Sequence, residues 1–222
     1  MAFKRRSLGV LNVVSCALVA LVSFRYLFGL GPVPPSISQN AFADPWLVLH
    51  VAGAATALLL SPLQLFPQLR TRAPRWHRWL GRVYMLGCTV GGVSGAVLAW
   101  GSAAGPVATA GFGSLAFVWL YTTTAGWWHA ARGRIFQHRA WMVRSFSLTY
   151  AAVTLRVYLA ILPALPIAFL DGYRAIAFLC WVPNLVIAEL LIRRWRWASP
   201  GTAGAPGMAS PPGQMAPPLR GS

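Results

Sequence analysis

Histidines are the residues of this sequence with the widest choice of chemistry, and two of them begin apolar segments in the same way. His77 and His138 are each followed by an arginine, in "HRWLGRVY" and "HRAWMVRSF". Two imidazoles that face each other from different helices can hold a b-type haem within a helix bundle. His129, at the end of another apolar segment, is a second candidate partner for His77. The sequence therefore allows a haem or quinone site beside these histidines.

The positions of the histidines also limit this hypothesis. His77, His129 and His138 lie at or beyond the ends of their apolar segments, where a haem would be poorly enclosed. His50 lies toward the opposite side, where no second histidine could complete another haem site. No C-x-x-C-H sequence is present, so a c-type attachment is not indicated.

A second group of polar residues lies inside the apolar segments, toward the side of His50. Ionisable side chains are costly within a bilayer, and an arginine has no neutral form available, so Arg156 must pair or face water. Asp44 and Asp171 are the expected counter-charges. This group is either a structural polar cluster or a pocket for a small anionic or lipid-like ligand. The candidate ligand-binding residues are His50, Arg156, Asn184, Arg25 and Gln64.

Glu189 is a further ionisable residue, about one turn before the end of the last apolar segment. Its expected role is an ion pair with Arg144 or Arg139. A proton-handling role would instead require a desolvated carboxylate.

Composition places these residues in an integral membrane protein. The chain has 222 residues, of which 57% are hydrophobic and 10% charged, against about 25% charged in ordinary soluble domains. Three acidic side chains are too few for a hydrated surface of this size. Apolar runs of membrane-spanning length recur. The predicted fold is all-α, a bundle of six transmembrane helices near residues 8–30, 45–69, 80–100, 111–131, 141–165 and 173–192.

The positive charges predict the orientation of these helices. Lysine and arginine concentrate at the amino terminus and in segments 70–82, 132–144 and 193–196, which six crossings place on one side. The positive-inside rule makes that side the cytoplasm, with both termini there. Eighteen arginines against one lysine indicate a GC-rich genome, and therefore a bacterial inner membrane.

Other partners and chemistries are not indicated. The net charge of +16 lies in short clusters between apolar spans, which argues against a nucleic-acid partner. The three cysteines form no C-x-x-C pair and are expected to be small packing residues. No metal site is predicted. Residues 1–198 are predicted to form the membrane domain, and 199–222, rich in proline and glycine, a disordered cytoplasmic tail.

Several short motifs, taken together and in order, resemble one bacterial family. They are "LH" (49–50), "SPLQL" (61–65), "HRWLGRVY", "HRAWMVRS", "TLR" (154–156) and "WVPNLVIAE" (181–189). The chain resembles, over about 45–192, the predicted-membrane-protein family known as domain of unknown function twenty-three-oh-six. The resemblance implies a polytopic membrane topology and no established activity. His129 is not part of the recurring pattern.

Three functional hypotheses follow, and no motif shows whether the protein is an enzyme. One is a membrane protein that binds a small anionic or lipid-like ligand around His50 and Arg156. The second is a b-haem or quinone membrane oxidoreductase that uses His77 and His138. The third is a structural or assembly subunit that binds other membrane proteins. Gly87, Gly91 and Gly95, at four-residue spacing, are expected to pack against a neighbouring helix within the monomer, with dimerisation as the alternative.

Overall fold

A computed structural model describes residues 2–31 and 35–198 of the chain. Every regular element within these residues is helical, as predicted. The predicted tail, 199–222, lies outside the described residues. The α-helices are α1 Ala2–Phe24, α2 Pro35–Ser38, α3 Ala43–Leu65, α4 Pro67–Arg72, α5 Pro74–Trp100, α6 Pro106–Ala131, α7 Ile135–Thr149, α8 Ala151–Ile161, α9 Phe169–Leu179 and α10 Val182–Ala198.

Five segments of the described chain are long and apolar enough to cross a membrane. They are Gly9–Phe28, Ala43–Leu65, Pro74–Trp100, Ile135–Ala164 and Phe169–Arg194. Helix α6 corresponds to the remaining predicted span and has 26 residues, but it is not one of the five. Since α6 carries no lysine, arginine or carboxylate, its glycines, threonines and tryptophans are what make it less apolar.

The helices at the arginine-bearing side begin earlier than the sequence predicted. Helix α5 starts at Pro74 and α7 at Ile135, so most of segments 70–82 and 132–144 is helical rather than loop. The apolar pattern identifies only the part of a helix that lies in hydrocarbon. It therefore does not include the basic first turns of α5 and α7. Pro74 suits the first helical position, where its missing N–H would be unpaired anyway. We call this side of the bundle the arginine-rich end.

Two of the predicted single spans are each formed by two helices. The predicted fifth span is broken at Tyr150, between α7 and α8, and the sixth at Cys180 and Trp181, between α9 and α10. Pro183 explains the second break, because it has no N–H to donate to the carbonyl of Leu179, four residues earlier. These breaks place polar side chains of both pairs of helices against each other.

Helices α3 and α5 pack more closely than ordinary side chains allow. A Cβ on Gly53 would lie 2.5 Å from the backbone nitrogen of Gly91 and 2.7 Å from the carbonyl oxygen of Gly87. Only glycine permits this approach, as small residues do at close helix contacts in membranes. The glycine face of α5 therefore packs within the monomer.

The core lies where α6 meets its neighbours. Trp119 of α6, Tyr84 of α5 and Leu148 of α7 are all buried in one apolar cluster. A second buried cluster joins α1 to α3 through Cys16, Ala20 and Leu58. Because α3, α5, α6 and α7 surround the first cluster, they form the central part of the bundle. The polar residues of the bundle lie toward the ends of these helices.

Candidate functional site

A large cavity of about 1040 Å³ opens at the arginine-rich end of the bundle. Its walls come from the end of α3, the start of α5, the end of α6, the start of α7 and Ile192 of α10. Cofactor and ligand pockets typically occupy about 300–1,000 Å³, so this cavity is large enough for a whole cofactor. We call it the histidine cavity, because His77 and His138 both line it.

The early starts of α5 and α7 bring these two histidines inside the bundle. His77 lies in the first turn of α5 and His138 in the first turn of α7, and both are partly buried. They are close enough for their charges to interact. Both histidines therefore lie within helices, and the cavity that they line is partly open at this end.

Hydrogen bonding fixes the protonation pattern of the His138 ring. Its Nδ1 lies 2.9 Å from the carbonyl oxygen of Gly126 in α6. Because a carbonyl oxygen only accepts, Nδ1 must carry the proton and Nε2 keeps a free lone pair. Gly126 permits the short distance between α6 and α7, since a Cβ there would lie 2.8 Å from the sulfur of Met142.

Two polar atoms near His138 lack partners in the part of the chain that the structure describes. His77 Nδ1 and Gln64 Nε2 are buried without a hydrogen bond. Gln64 extends from α3 across Gly81 of α5, where a Cβ would meet its Oε1 at 3.5 Å. Buried polar groups are almost always satisfied in native proteins, so both atoms are unusual, and both belong to residues that line the cavity.

The mouth of the cavity carries a strong positive charge. Arg70, Arg78, Arg82 and Arg139 all line it. The whole sequence has three side-chain carboxylates, and none faces these arginines. Asp171 pairs with Arg174 at 3.1 Å, Glu189 pairs with Arg144, and Asp44 lies at the start of α3, at the opposite end of that helix. The cavity arginines therefore need counter-ions from outside the chain.

A chain of hydroxyl groups forms the deep end of the cavity. Tyr84 and Thr123 line it and are 1% and 3% exposed, respectively. The Tyr84 hydroxyl lies 2.8 Å from both Ser145 Oγ and Thr149 Oγ1, and Thr123 Oγ1 lies 2.6 Å from Ser145 Oγ. Trp119 Nε1 donates to Thr149 Oγ1 at 2.9 Å. This network was not predicted. The feature of the sequence that could have indicated it is the pair Ser145 and Thr149, two hydroxyl residues four positions apart on one helix.

Of the residues predicted to form a group with His50, Arg156 and Arg25 do lie near it at the opposite end, whereas Gln64 and Asn184 do not. Arg156 is close enough to His50 and Tyr26 for charge interactions, and Arg25 donates to the Tyr26 hydroxyl at 3.0 Å. His50 Nδ1 lies 2.8 Å from the carbonyl oxygen of Gly91. We call Arg25, His50 and Arg156 the outer cluster.

Arg156 uses its donors on the protein itself. Its Nη1 donates to the carbonyl of Ala152 at 2.8 Å and its Nη2 to Ser23 Oγ at 2.7 Å. The predicted ion pair between Asp171 and Arg156 does not form, because Asp171 pairs with Arg174 on its own helix. A side chain three residues away on one helix is a nearer partner than one on another helix.

The remaining predicted residues stabilise contacts between helices. The Asn184 amide nitrogen donates to the carbonyls of Ser147 and Cys180 at 3.3 and 3.0 Å and to Thr154 Oγ1 at 3.1 Å. It lies at the helix breaks and not beside Arg156.

Glu189 accepts two hydrogen bonds from Arg144, whose guanidinium also lies 4.6 Å from the centre of the Trp141 ring. Of its two expected partners Arg144 forms the pair, while Arg139 lines the cavity. His129 packs between Trp128 and Trp141, with ring centres at 4.8 and 6.5 Å, and does not line the cavity.

The fold and these sites define a polytopic helical membrane protein. The chain belongs to the family described as "Predicted membrane protein (DUF2306)", whose model matches residues 47–192. This match confirms the family that the sequence motifs indicated, and it includes the histidine cavity and most of the outer cluster. No curated protein and no solved structure matches the chain.

Proposed function

We propose that this protein binds a b-type haem in the histidine cavity, with His77 and His138 as the axial ligands. The observation that carries the proposal is the pair of imidazoles from two different helices, both lining one partly open cavity of cofactor size. A b-type haem needs this arrangement in a helix bundle. The protein would then be a membrane electron carrier or oxidoreductase.

The surroundings of His138 support its role as a ligand. Histidines that ligate metals almost always donate their other ring N–H to a carbonyl, a carboxylate or water, which fixes the orientation of the ring. The bond from His138 Nδ1 to Gly126 has this form and leaves Nε2 available. His77 contributes a ring whose Nδ1 has no partner among the described residues.

The arginines at the mouth support an acidic ligand. A b-type haem carries two carboxylates, and an arginine binds a carboxylate through two parallel hydrogen bonds. Arg78 and Arg82 are four residues apart on α5, Arg139 is on α7 and Arg70 on α4, so cations approach the mouth from three helices. No side-chain carboxylate of the chain competes for them.

The walls between the histidines and the hydroxyl chain are apolar. Met85, Met142, Val143 and Phe146 line this part of the cavity. Apolar walls exclude water from a bound ring, and methionine adapts its shape to irregular surfaces. A bound haem iron would supply one-electron transfer, while the chain itself supplies the ligands, the positive charge and the dry environment.

A ligand site in the outer cluster has less support. Arg156 and His50 already have hydrogen-bonding partners within the protein. A structural role is therefore the better proposal for His50, Arg25 and Arg156, and the ligand-binding role moves to Gln64, His77 and His138 at the other end.

The proposed topology has six crossings, with α6 as the additional one. At a rise of about 1.5 Å per residue, α6 extends about 39 Å, which exceeds a hydrocarbon thickness of about 30 Å. The arginine-rich end then faces the cytoplasm of a bacterial inner membrane, with both chain termini there. Reporter fusions after residue 103 and after residue 133 test this topology, because the two fusions should report opposite sides.

Optical absorption of the purified protein tests haem binding directly. Expressed in haem-replete cells and purified in a mild detergent, the wild type should show a Soret band, and the pyridine haemochrome assay should identify haem b. His77→Ala and His138→Ala should each lose this band, because a haem iron without one of its axial ligands is held weakly.

His129→Ala is the matched control, because His129 is also at the arginine-rich end but faces away from the cavity. It should keep the full band. A colourless wild-type protein that also fails to take up added hemin would refute the proposal. Equal loss of the band in all three variants would refute the assignment of the ligands.

A further inference from the structure

The hydroxyl chain at the deep end of the histidine cavity can order its hydrogen-bond donors in two opposite directions. Each hydroxyl has one proton to donate and can accept up to two hydrogen bonds. Trp119 Nε1 can only donate, so Thr149 Oγ1 must accept from it. The Cys88 thiol lies beside these hydroxyls but is a weak donor and acceptor, so the bonds between hydroxyls order the remaining protons from this fixed end.

One arrangement starts with Thr149 donating to the carbonyl of Ser145, from which it is 2.9 Å away. Tyr84 must then donate to Thr149, Ser145 must donate to Tyr84, and Thr123 must donate to Ser145. The proton of Thr123 is therefore committed to the chain. Toward the cavity, Thr123 can only accept a hydrogen bond.

The opposite arrangement costs only the bond from Thr149 to the Ser145 carbonyl. If Thr149 donates to Tyr84, then Tyr84 donates to Ser145 and Ser145 donates to Thr123. The Ser145 carbonyl is in the interior of the helical region and keeps its backbone partner. The proton of Thr123 is now free to donate into the cavity. Rotation of four hydroxyl groups, without any net proton transfer, thus changes the deep end from acceptor to donor.

We propose that this deep end is a binding subsite for a quinone-type ring, contacted through the Thr123 hydroxyl in both its oxidised and its reduced form. A quinone presents a carbonyl, which needs a donor, and the quinol presents a hydroxyl, which can satisfy an acceptor. The reversible chain supplies both. The walls of Met85, Met142 and Phe146 provide the apolar contact that such a ring needs.

The subsite is separate from the axial ligands in the same cavity. Thr123 and Tyr84 are at the closed end, and Tyr84 lies seven residues beyond His77 on α5, about 10 Å along the helix. The subsite depends on the hydroxyl chain and does not require that His77 or His138 bind a metal. It goes beyond haem binding by naming a reaction partner that haem could exchange electrons with.

Thermal unfolding of the purified protein in detergent, with added menadione or, without oxygen, menadiol, tests the subsite. The wild type should be stabilised by both compounds in a concentration-dependent way. Thr123→Val should weaken the apparent affinity for both about tenfold, the loss expected for one buried hydrogen bond. Its haem band should stay unchanged, which separates this test from the test of haem binding.

Thr122→Val is the matched control. Thr122 is the adjacent residue, is equally buried, and donates to the Trp119 carbonyl at 3.1 Å without lining the cavity. It should keep wild-type affinity. The proposal is wrong if neither compound stabilises the wild type, if Thr123→Val binds as the wild type does, or if Thr122→Val loses as much affinity as Thr123→Val.

A third variant tests the reversal of the chain. Thr149→Val removes one of the two oxygen acceptors for the Tyr84 proton. Because the Cys88 sulfur beside Tyr84 is only a weak acceptor, Tyr84 should then donate to Ser145, and Thr123 should present its proton to the cavity. This variant should therefore favour menadione over menadiol by about tenfold relative to the wild type. An unchanged ratio of the two affinities would contradict the reversible chain.

Discussion

The histidine cavity and the outer cluster contain the same kinds of residues, histidine and arginine, yet they differ in how these residues are satisfied. In the outer cluster, Arg156 donates to Ser23 and Ala152, and His50 is bonded to Gly91. In the cavity, His77 and Gln64 each retain a buried polar atom without a partner among the described residues. A polar residue inside a membrane is thus not by itself a sign of a ligand.

The two regions differ in charge as well. The outer cluster lies at the end of the bundle that has Asp44 and Asp171, whereas the cavity arginines have no carboxylate of the chain beside them. Structural polar residues should therefore be needed for folding whether or not a ligand is present. The histidines and arginines that line the cavity should be dispensable for folding. Four experiments test this difference, in order of the size of their expected effects.

Arg156→Met should lower the free energy of unfolding most, by about 2–4 kcal/mol, because Ser23 and the Ala152 carbonyl lose a charged donor. The measurement is reversible unfolding in mixed detergent micelles. Arg82→Met, at the cavity mouth, is the matched control and should change stability by less than about 0.5 kcal/mol. Equal effects of the two substitutions would remove the distinction between the regions.

Asn184→Leu should lower the free energy of unfolding by about 1–3 kcal/mol. The leucine is similar in size but cannot donate to Ser147, Cys180 and Thr154 across the helix breaks. Unfolding in the same micelles measures the loss, and the haem band should remain. A lost band at full stability would instead place Asn184 among the functional residues.

Arg144 and Glu189 should be coupled by about 0.5–1 kcal/mol, since both side chains are partly exposed. A double-mutant cycle with Arg144→Met and Glu189→Gln isolates this energy from the stacking of Arg144 on Trp141. A coupling energy near zero would mean that the ion pair does not hold α7 and α10 together.

Gln64→Leu should have the smallest effect, and of opposite sign: a gain of up to about 1 kcal/mol in the ligand-free protein. The substitution removes a buried amide nitrogen that has no partner in the described structure. Differential scanning calorimetry of ligand-free protein would detect it. A clear loss of stability would show that Gln64 is structural, like the residues of the outer cluster.

The fold was predictable because its main determinants are local. Apolar length identified the helices, and the spacing of Gly87 and Gly91 indicated a close helix contact. The break at Cys180 has a local cause, Pro183, whereas no proline or glycine marks the break at Tyr150 in the sequence. Basic first turns, as at His77, were taken for loops because hydropathy detects only the hydrocarbon-facing part of a helix.

The candidate site was predictable only in its residue types. The His-Arg repeats singled out His77 and His138, but the sequence could not show that one cavity joins them. The hydroxyl chain combines residues of α5, α6 and α7. Serine, threonine and tyrosine are too common for their residue types alone to indicate such a chain. Only packing distinguishes Thr123, at the cavity, from Thr122 beside it.

The glycine contact between α3 and α5 also has a kinetic consequence. Backbones that touch at Gly53, Gly87 and Gly91 have no intervening side chains whose rotation would let the helices slide or separate. Gln64 and His77, at the same end of these two helices, are therefore carried on one rigid support. We therefore expect widening of the cavity to involve α6 and α7, the helix that carries His138, rather than a separation of α3 from α5.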